Sequence, residues 1–454
     1  MNERHKALRA TESPSSPINA GVSRPRAAPS VAIGGLSGAM AGGQSVPFIV
    51  PLLFLLTGVC AAALFGLLLP WIIREALVSP GFPHVLALVH TATLGWLTMT
   101  IMGASLQLAP VIVVSPLRAA RFLRWHYPLY LSGVLLLLSG FWWMLPWLLI
   151  VGGTLIVLAV IHYAIILGAT IAHATKRPLT VRFLAASLTY LCIVVSLGLL
   201  AALNFQFDFL DPGFDQLLLT HITLGVIGWL STTLIGVSYT LVRMFALAHE
   251  HTDRLGKIIF VLLNASIVTL SLGFMRAWEP LLLCGGGLLI VSAWLFAYDY
   301  WQMLRVRRRR LLDATQYHGI VAVAFFAAIV PCGVGAAVFG WSQPTILTAL
   351  ALAALVGWLG QSMIGYLYKI VSFLVWHRRY GPLVGRQHVP LMRELLHERW
   401  TWLSWWLING GLLGTILCAL YAWLVPMQIA AGALGLGLVI AAANVLGIVR
   451  HMRT

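Results

Sequence analysis

Gly95-Trp96-Leu97, followed after five residues by Gly103, decides how this chain is read. The same pattern returns as Gly228-Trp229-Leu230 with Gly236, and as Gly357-Trp358-Leu359 with Gly365. The copies start 133 and 129 residues apart, counted from Gly95 to Gly228 to Gly357, and no other Gly-Trp-Leu occurs in the 454 residues. Near-equal spacing, with the second glycine in register each time, argues for a threefold internal repeat. Two of the copies are preceded by a histidine, His90 and His221.

Each copy lies inside a long apolar run. Hydrophobic residues make up 60% of the chain and charged residues 9%, where a soluble domain carries about a quarter charged residues. Because backbone groups in lipid must be satisfied within a segment, and a helix needs about 20 apolar residues to cross, the fold class is an all-α polytopic membrane protein. Twelve runs are long enough: 47–73, 84–113, 127–143, 145–174, 182–204, 215–247, 256–276, 280–304, 316–340, 343–376, 401–424 and 425–450. Residues 1–45, rich in Ser, Pro, Ala and Gly with scattered Arg and Lys, read as a disordered basic cytoplasmic tail. Residues 46–454 read as one transmembrane domain.

The connections alternate in charge. Arg118, Arg121, Arg124, Lys176, Arg177, Arg243, Arg254, Lys257, the run Arg307 to Arg310, Arg378 and Arg379 fall on one side, whereas Glu75, Asp208, Asp211, Asp215 and Glu279 fall on the other. The positive-inside rule then predicts twelve spans with both termini cytoplasmic. The excess of 29 Lys and Arg over 13 Asp and Glu is therefore orientation signal. The implied partner is a lipid bilayer, such as a bacterial inner membrane, and not nucleic acid. The five cysteines form no CxxC pair and read as small apolar packing residues. On this topology the tripeptides lie on helices 2, 6 and 10, so the repeat unit is four helices, with units at about 47–174, 182–304 and 316–450. Small residues spaced this way let a neighbouring helix or a flat ligand approach closely.

Three four-helix units with special positions on helices 2, 6 and 10 resemble subunit I of the heme–copper oxidase superfamily, which includes the nitric oxide reductases and the cbb3-like terminal oxidases of respiratory chains. His90-Thr91, Leu94, Trp96-Leu97, Met102-Gly103-Ala104 and Pro110 are similar to helix 2 of the nitric oxide reductase branch, with a shift of about one residue. The resemblance implies that His90 is an axial heme ligand, and it places His221 at the opening of helix 6, the helix that carries a copper-ligating His in the family. It departs on helix 10, where 343–376 contain no His and Gln361, Ser362 and Met363 stand instead, and on helix 7, where 256–276 contain none. A complete oxygen-reducing dinuclear site is therefore not implied. One heme or one copper near the outer face is.

Residue by residue, the candidates divide. His90 and His221 lie inside spans, where ionisable residues are costly and functional by default. Either ligation or a hydrogen bond to a neighbouring helix explains them. Met363 is a soft ligand candidate or a packing residue. His84 reads as interfacial, and His162 as a hydrogen-bonded packing residue or part of a proton path. The run His249-Glu250-His251 with Asp253 reads as a solvated loop, since residues two apart on a helix do not face together. Lys369 is expected to snorkel inward or to pair with Asp299. The competing functional readings are a cofactor-free permease or metal-trafficking protein, and a structural or assembly subunit beside respiratory-complex partners.

Overall fold

The computed structural model describes residues 48–452 except 119, 249 and 310. The expected N-terminal tail, His249 and Arg310 lie outside the described residues. Among those residues the chain is helical, without strands. The long helices are α1 (Ile49–Ala76), α2 (Pro83–Val113), α3 (Leu123–Trp142), α4 (Pro146–Ala172), α5 (Leu179–Phe207), α6 (Phe214–Ala246), α7 (Arg254–Arg276), α8 (Glu279–Arg305), α9 (Ala314–Val338), α10 (Pro344–Arg379), α11 (Glu398–Leu420) and α12 (Leu424–Arg450). Eleven of them are long and apolar enough to cross a membrane. The exception is α3, a helix of 20 residues whose first turn carries Arg124 and His126. The chain is a multi-pass integral membrane protein.

Local chemistry sets the helix ends. Pro83, Pro146 and Pro344 open α2, α4 and α10, where a fixed φ suits the first turn and the missing N–H has no partner to lose. Asp313 caps α9, accepting from the Gln316 N–H while the Gln316 side chain accepts from the Asp313 N–H; such a box satisfies two donors at once. Val114 and Leu247 end α2 and α6 in the left-handed region, each 19 residues past the first glycine of its motif. The third copy departs here, because α10 runs on to Arg379.

Neighbouring helices pack as tight hairpins: α3 with α4, α7 with α8, and α11 with α12. Further contacts join α4 to α5, α8 to α9, and α12 back to α1. The closing contact is backbone on backbone, since a Cβ on Gly435 would fall 2.1 Å from the Gly66 carbonyl oxygen. Helices α2, α6 and α10 are the innermost, with 72%, 61% and 72% of their most apolar windows buried, against 28% for α9. Outward-facing side chains such as Leu67, Ile165 and Val261 are apolar and exposed, as lipid contact requires. Trp143, Trp278, Trp341 and Trp423 stand exposed in or beside the short connections opposite the Arg-rich ones, where amphipathic rings suit a membrane interface.

Two expectations need correcting. Of the five cysteines, all unpaired, Cys192 and Cys418 pack against the core as expected, but Cys60, Cys284 and Cys332 are exposed and do not. In addition, α3 starts four residues earlier than expected, at Leu123 rather than 127, which draws His126 out of a presumed connection and into the bundle.

The α1–α12 closure is testable. Gly435→Ala should lower stability in detergent by about 1–3 kcal/mol through overpacking. Gly432→Ala in the same helix, where a Cβ meets nothing within 4 Å, should be neutral or slightly stabilising. Thermal unfolding of the two variants separates these outcomes.

Candidate functional site

The three Gly-Trp-Leu copies are π-helical. The wider turns run Thr91–Thr98 in α2, Leu224–Ser231 in α6 and Ala353–Gly360 in α10, and such insertions are frequent where function bends a helix. Hydroxyls accommodate the altered register in α6, with Ser231 donating to the Val226 carbonyl and Thr232 to the Ile227 carbonyl, each five residues back. Both glycines of each motif face the helix before it. A Cβ on Gly95 or Gly103 would meet α1, on Gly228 or Gly236 α5, and on Gly357 or Gly365 α9.

The tryptophans interlock. Trp229 Nε1 donates to Thr98 Oγ1 at 2.9 Å, and Trp358 Nε1 donates to Ser231 Oγ at 2.9 Å. In each case the acceptor immediately follows the leucine of another copy's Gly-Trp-Leu. The third copy has Gly360 at that place, and Trp96 lies against it, 2.6 Å from where a Cβ would be. Trp96 Nε1 is buried without a partner. The cycle α6 to α2, α10 to α6 and α2 to α10 thus closes with two hydrogen bonds and one van der Waals contact.

His90 and His221 lie on α2 and α6, each on the side of its motif toward the acidic connections. The Nδ1 of His90 is 2.7 Å from the Leu86 carbonyl, and that of His221 is 3.1 Å from the Val194 carbonyl. A carbonyl only accepts, so Nδ1 carries the proton and each Nε2 keeps its lone pair. This is how a ligating imidazole is usually oriented. The His90 ring stacks on Phe141 at 4.9 Å and 28°, and Phe205 and Phe214 continue the aromatic wall toward α6. His221 Cε1 occupies the space over Gly198, 3.0 Å from where a Cβ would stand.

Met363 belongs elsewhere. It is buried in α10, six residues past Gly357, whereas His90 and His221 precede their glycines. With the three motifs held at one level by the tryptophans, Met363 sits ~16 Å along the bundle from the His90 level at 1.5 Å per residue. Its neighbour Gln361 belongs to a buried polar chain, accepting from His318 and donating to Asn409 Oδ1 at 2.7 Å. His318, in the second turn of α9, is fully buried, and its Nε2 has no partner.

At the Arg-rich end, two carboxylates replace the expected Lys369–Asp299 pair. Lys369 bonds Asp313 at 2.5 Å, and Arg309 reaches the same carboxylate at 3.0 Å. Burial by itself would raise the Asp313 carboxyl, but Lys369, Thr315 and Arg309 outweigh it and hold the group below its ordinary range. Asp299, 3% exposed, instead accepts from Tyr239 at 2.8 Å and pairs with His251 Nε2 at 2.8 Å. His251 is therefore packed into the bundle and not a solvated loop residue, because an unpaired carboxylate inside a span is too costly to leave alone. Glu250 does face solvent, paired with Arg308. His84 is tied to Glu75 at 3.1 Å and leans on Trp142.

His126 lies just before the apolar run 127–143, beside Arg124 and Trp125, so composition gives no signal of its burial. The structure buries it completely. Among the described residues, no three His, Cys, Asp or Glu side chains come together as a metal cluster. No protein-family model matches the chain, and no curated protein matches it either.

Trp358→Phe, which removes a made hydrogen bond, should cost about 1 kcal/mol more than Trp96→Phe, which removes an unpartnered N–H. Thermal unfolding in detergent measures the difference. Asp313→Asn should destabilise more than Lys369→Met, by about 1–3 kcal/mol, because it strands a buried ammonium whereas the reverse change leaves Asp313 with Arg309. Equal losses for both variants would contradict the assignment.

Proposed function

We propose that this protein is a membrane-embedded heme or copper protein on the scaffold of heme–copper oxidase subunit I, without that superfamily's oxygen-reducing dinuclear site. The observation that carries the reading is the pair His90 and His221, both with Nδ1 tied to a backbone carbonyl and Nε2 left as donor, on helices whose levels are locked together. Two imidazoles without a third protein ligand suit axial ligation of one heme iron or a low-coordinate copper better than a closed tetrahedral site. The group would supply one-electron transfer or binding of a diatomic gas such as nitric oxide. The chain's own part is to orient both imidazoles, with Phe141 and Gly198 fixing the two rings, and to wall them with aromatic side chains.

The scaffold reading extends the repeat to three four-helix units of the same orientation, 47–174, 182–304 and 316–450, with both termini cytoplasmic and the His pair near the outer face. It is supported by the cyclic contacts of the three motifs and by the matching glycine contacts to α1, α5 and α9. A bacterial inner membrane and respiratory-complex partners fit this assignment. The third copy carries Leu350 and Leu352 where His stands in the others, so the chemistry is confined to two of the three units. Interlocked tryptophans occupy the place where a central permeation path would run, which favours a cofactor protein over a permease.

Protein purified in mild detergent should show Soret and α bands, or copper by elemental analysis. His90→Ala should abolish the heme bands or remove one copper equivalent, and Gly198→Ala, which pushes the His221 ring aside, should weaken or shift the signal. A colourless, copper-free protein, or one whose heme bands or copper equivalents are undiminished by the double His90→Ala and His221→Ala change, would falsify the assignment.

A further inference from the structure

A second pair of imidazoles lies away from the first, on the α3–α4 hairpin. His126 is fully buried, and neither of its ring nitrogens has a hydrogen-bond partner. A buried imidazole left so costs roughly 1–3 kcal/mol for each unsatisfied group, and buried orphans in a native protein call for an explanation. The nearest ring of matching chemistry is His162 of α4, with its centroid 5.6 Å away and its plane turned by 70°.

The surroundings are aromatic. Phe54 and Tyr163 flank the His126 ring at 5.0 and 5.5 Å, the second nearly parallel at 10°. The Tyr163 hydroxyl is already engaged with Ser105, and the Tyr127 hydroxyl with Thr57. These groups therefore do not satisfy the imidazole.

The hairpin that holds the pair is close-packed. A Cβ on Gly152 would fall 2.5 Å from the Leu137 backbone nitrogen, and one on Gly133 would fall 2.9 Å from Ile156. His126 and His162 continue that antiparallel register toward the Arg-rich end, so their separation is set by backbone contact and not by mobile side chains.

We propose that His126 and His162 form a two-coordinate site for a cuprous ion, separate from the His90–His221 pair. With metal–nitrogen distances of about 2 Å, each ring centre lies ~3 Å from the ion, so a collinear pair has centroids ~6 Å apart. The observed 5.6 Å accommodates the ion with the bridge bent to ~140°, as ring centres ~3 Å from it require. Zinc and cupric ions require more ligands than this place offers, and calcium or magnesium requires oxygens. Binding uses one lone pair from each neutral imidazole, and any proton already on that nitrogen is released.

Full-length protein in detergent, titrated anaerobically with cuprous ion against a bicinchoninate chelator, should lose one bound equivalent on His162→Gln, a change at a partly exposed position. The weakening at this site should exceed the ~100-fold that loss of an outer-shell group causes. The same equivalent should persist in His90→Ala/His221→Ala protein, and X-ray absorption there should report a two-coordinate shell of nitrogen only. Unchanged stoichiometry in His162→Gln, no cuprous binding in the His90/His221 double variant, or a shell containing sulfur or oxygen would each overturn the site. Size-exclusion elution confirms that His162→Gln is folded, and the absorption measurement does not depend on that variant.

Discussion

Helices α2, α6 and α10 are held at one level by three tryptophans, and the rest of the bundle is arranged around that level. An indole is large, flat and apolar apart from one N–H, so burying it stabilises the interior only where that N–H finds an acceptor. Thr98 and Ser231 provide the acceptors for Trp229 and Trp358. Gly360 provides none, because the Trp96 ring occupies the space that a hydroxyl would need. The asymmetry has a physical origin: two hydrogen bonds and one close contact fit in a space that three hydroxyl-bearing side chains would overfill.

Elsewhere, buried polarity follows the rule that a span tolerates a charge or an amide only with its partner supplied. Asp299 has Tyr239 and His251, Lys369 has Asp313, and Gln361 has His318 and Asn409. The Asp299 set joins α8 to α6 and to the connection after α6, whereas the other two join α10 to its chain neighbours α9 and α11. They fix relative positions more specifically than apolar contact does, since an apolar surface slides at little cost and a buried hydrogen bond does not. Against that background of satisfied groups, the open nitrogens of His126, His318 and Trp96 stand out.

The imidazoles fall into two kinds. His90 and His221 have one nitrogen anchored on backbone and one left for a ligand; His126 has both nitrogens open, with the His162 ring 5.6 Å away. An anchored ring is pre-oriented and suits a cofactor that demands a fixed axis. The unanchored ring is held instead by stacking on Phe54 and Tyr163, which fixes its plane but leaves its edge free.

Much of this architecture was legible in the sequence. Apolar runs of sufficient length dictate spanning helices because lipid offers the backbone no hydrogen bonds, so the helices lie within a few residues of the runs read from composition. The register of the Gly-Trp-Leu copies marked the innermost helices, and His90 and His221 stood out as ionisable residues inside spans. What composition could not reveal was the π-helical turn at each motif, since periodicity presumes the α-helical register that the π turn breaks. Nor could it pair charges across helices: Lys369 chose Asp313 over Asp299, and His251 folded in to meet Asp299, because partnership depends on which helix faces which. His126 was hidden for the same reason. Its neighbours in sequence are a basic flank, and only the packing of α3 against α1 and α4 removes it from water. Sequence determines how much of the chain must enter the membrane, and the tertiary fold decides which polar groups meet there.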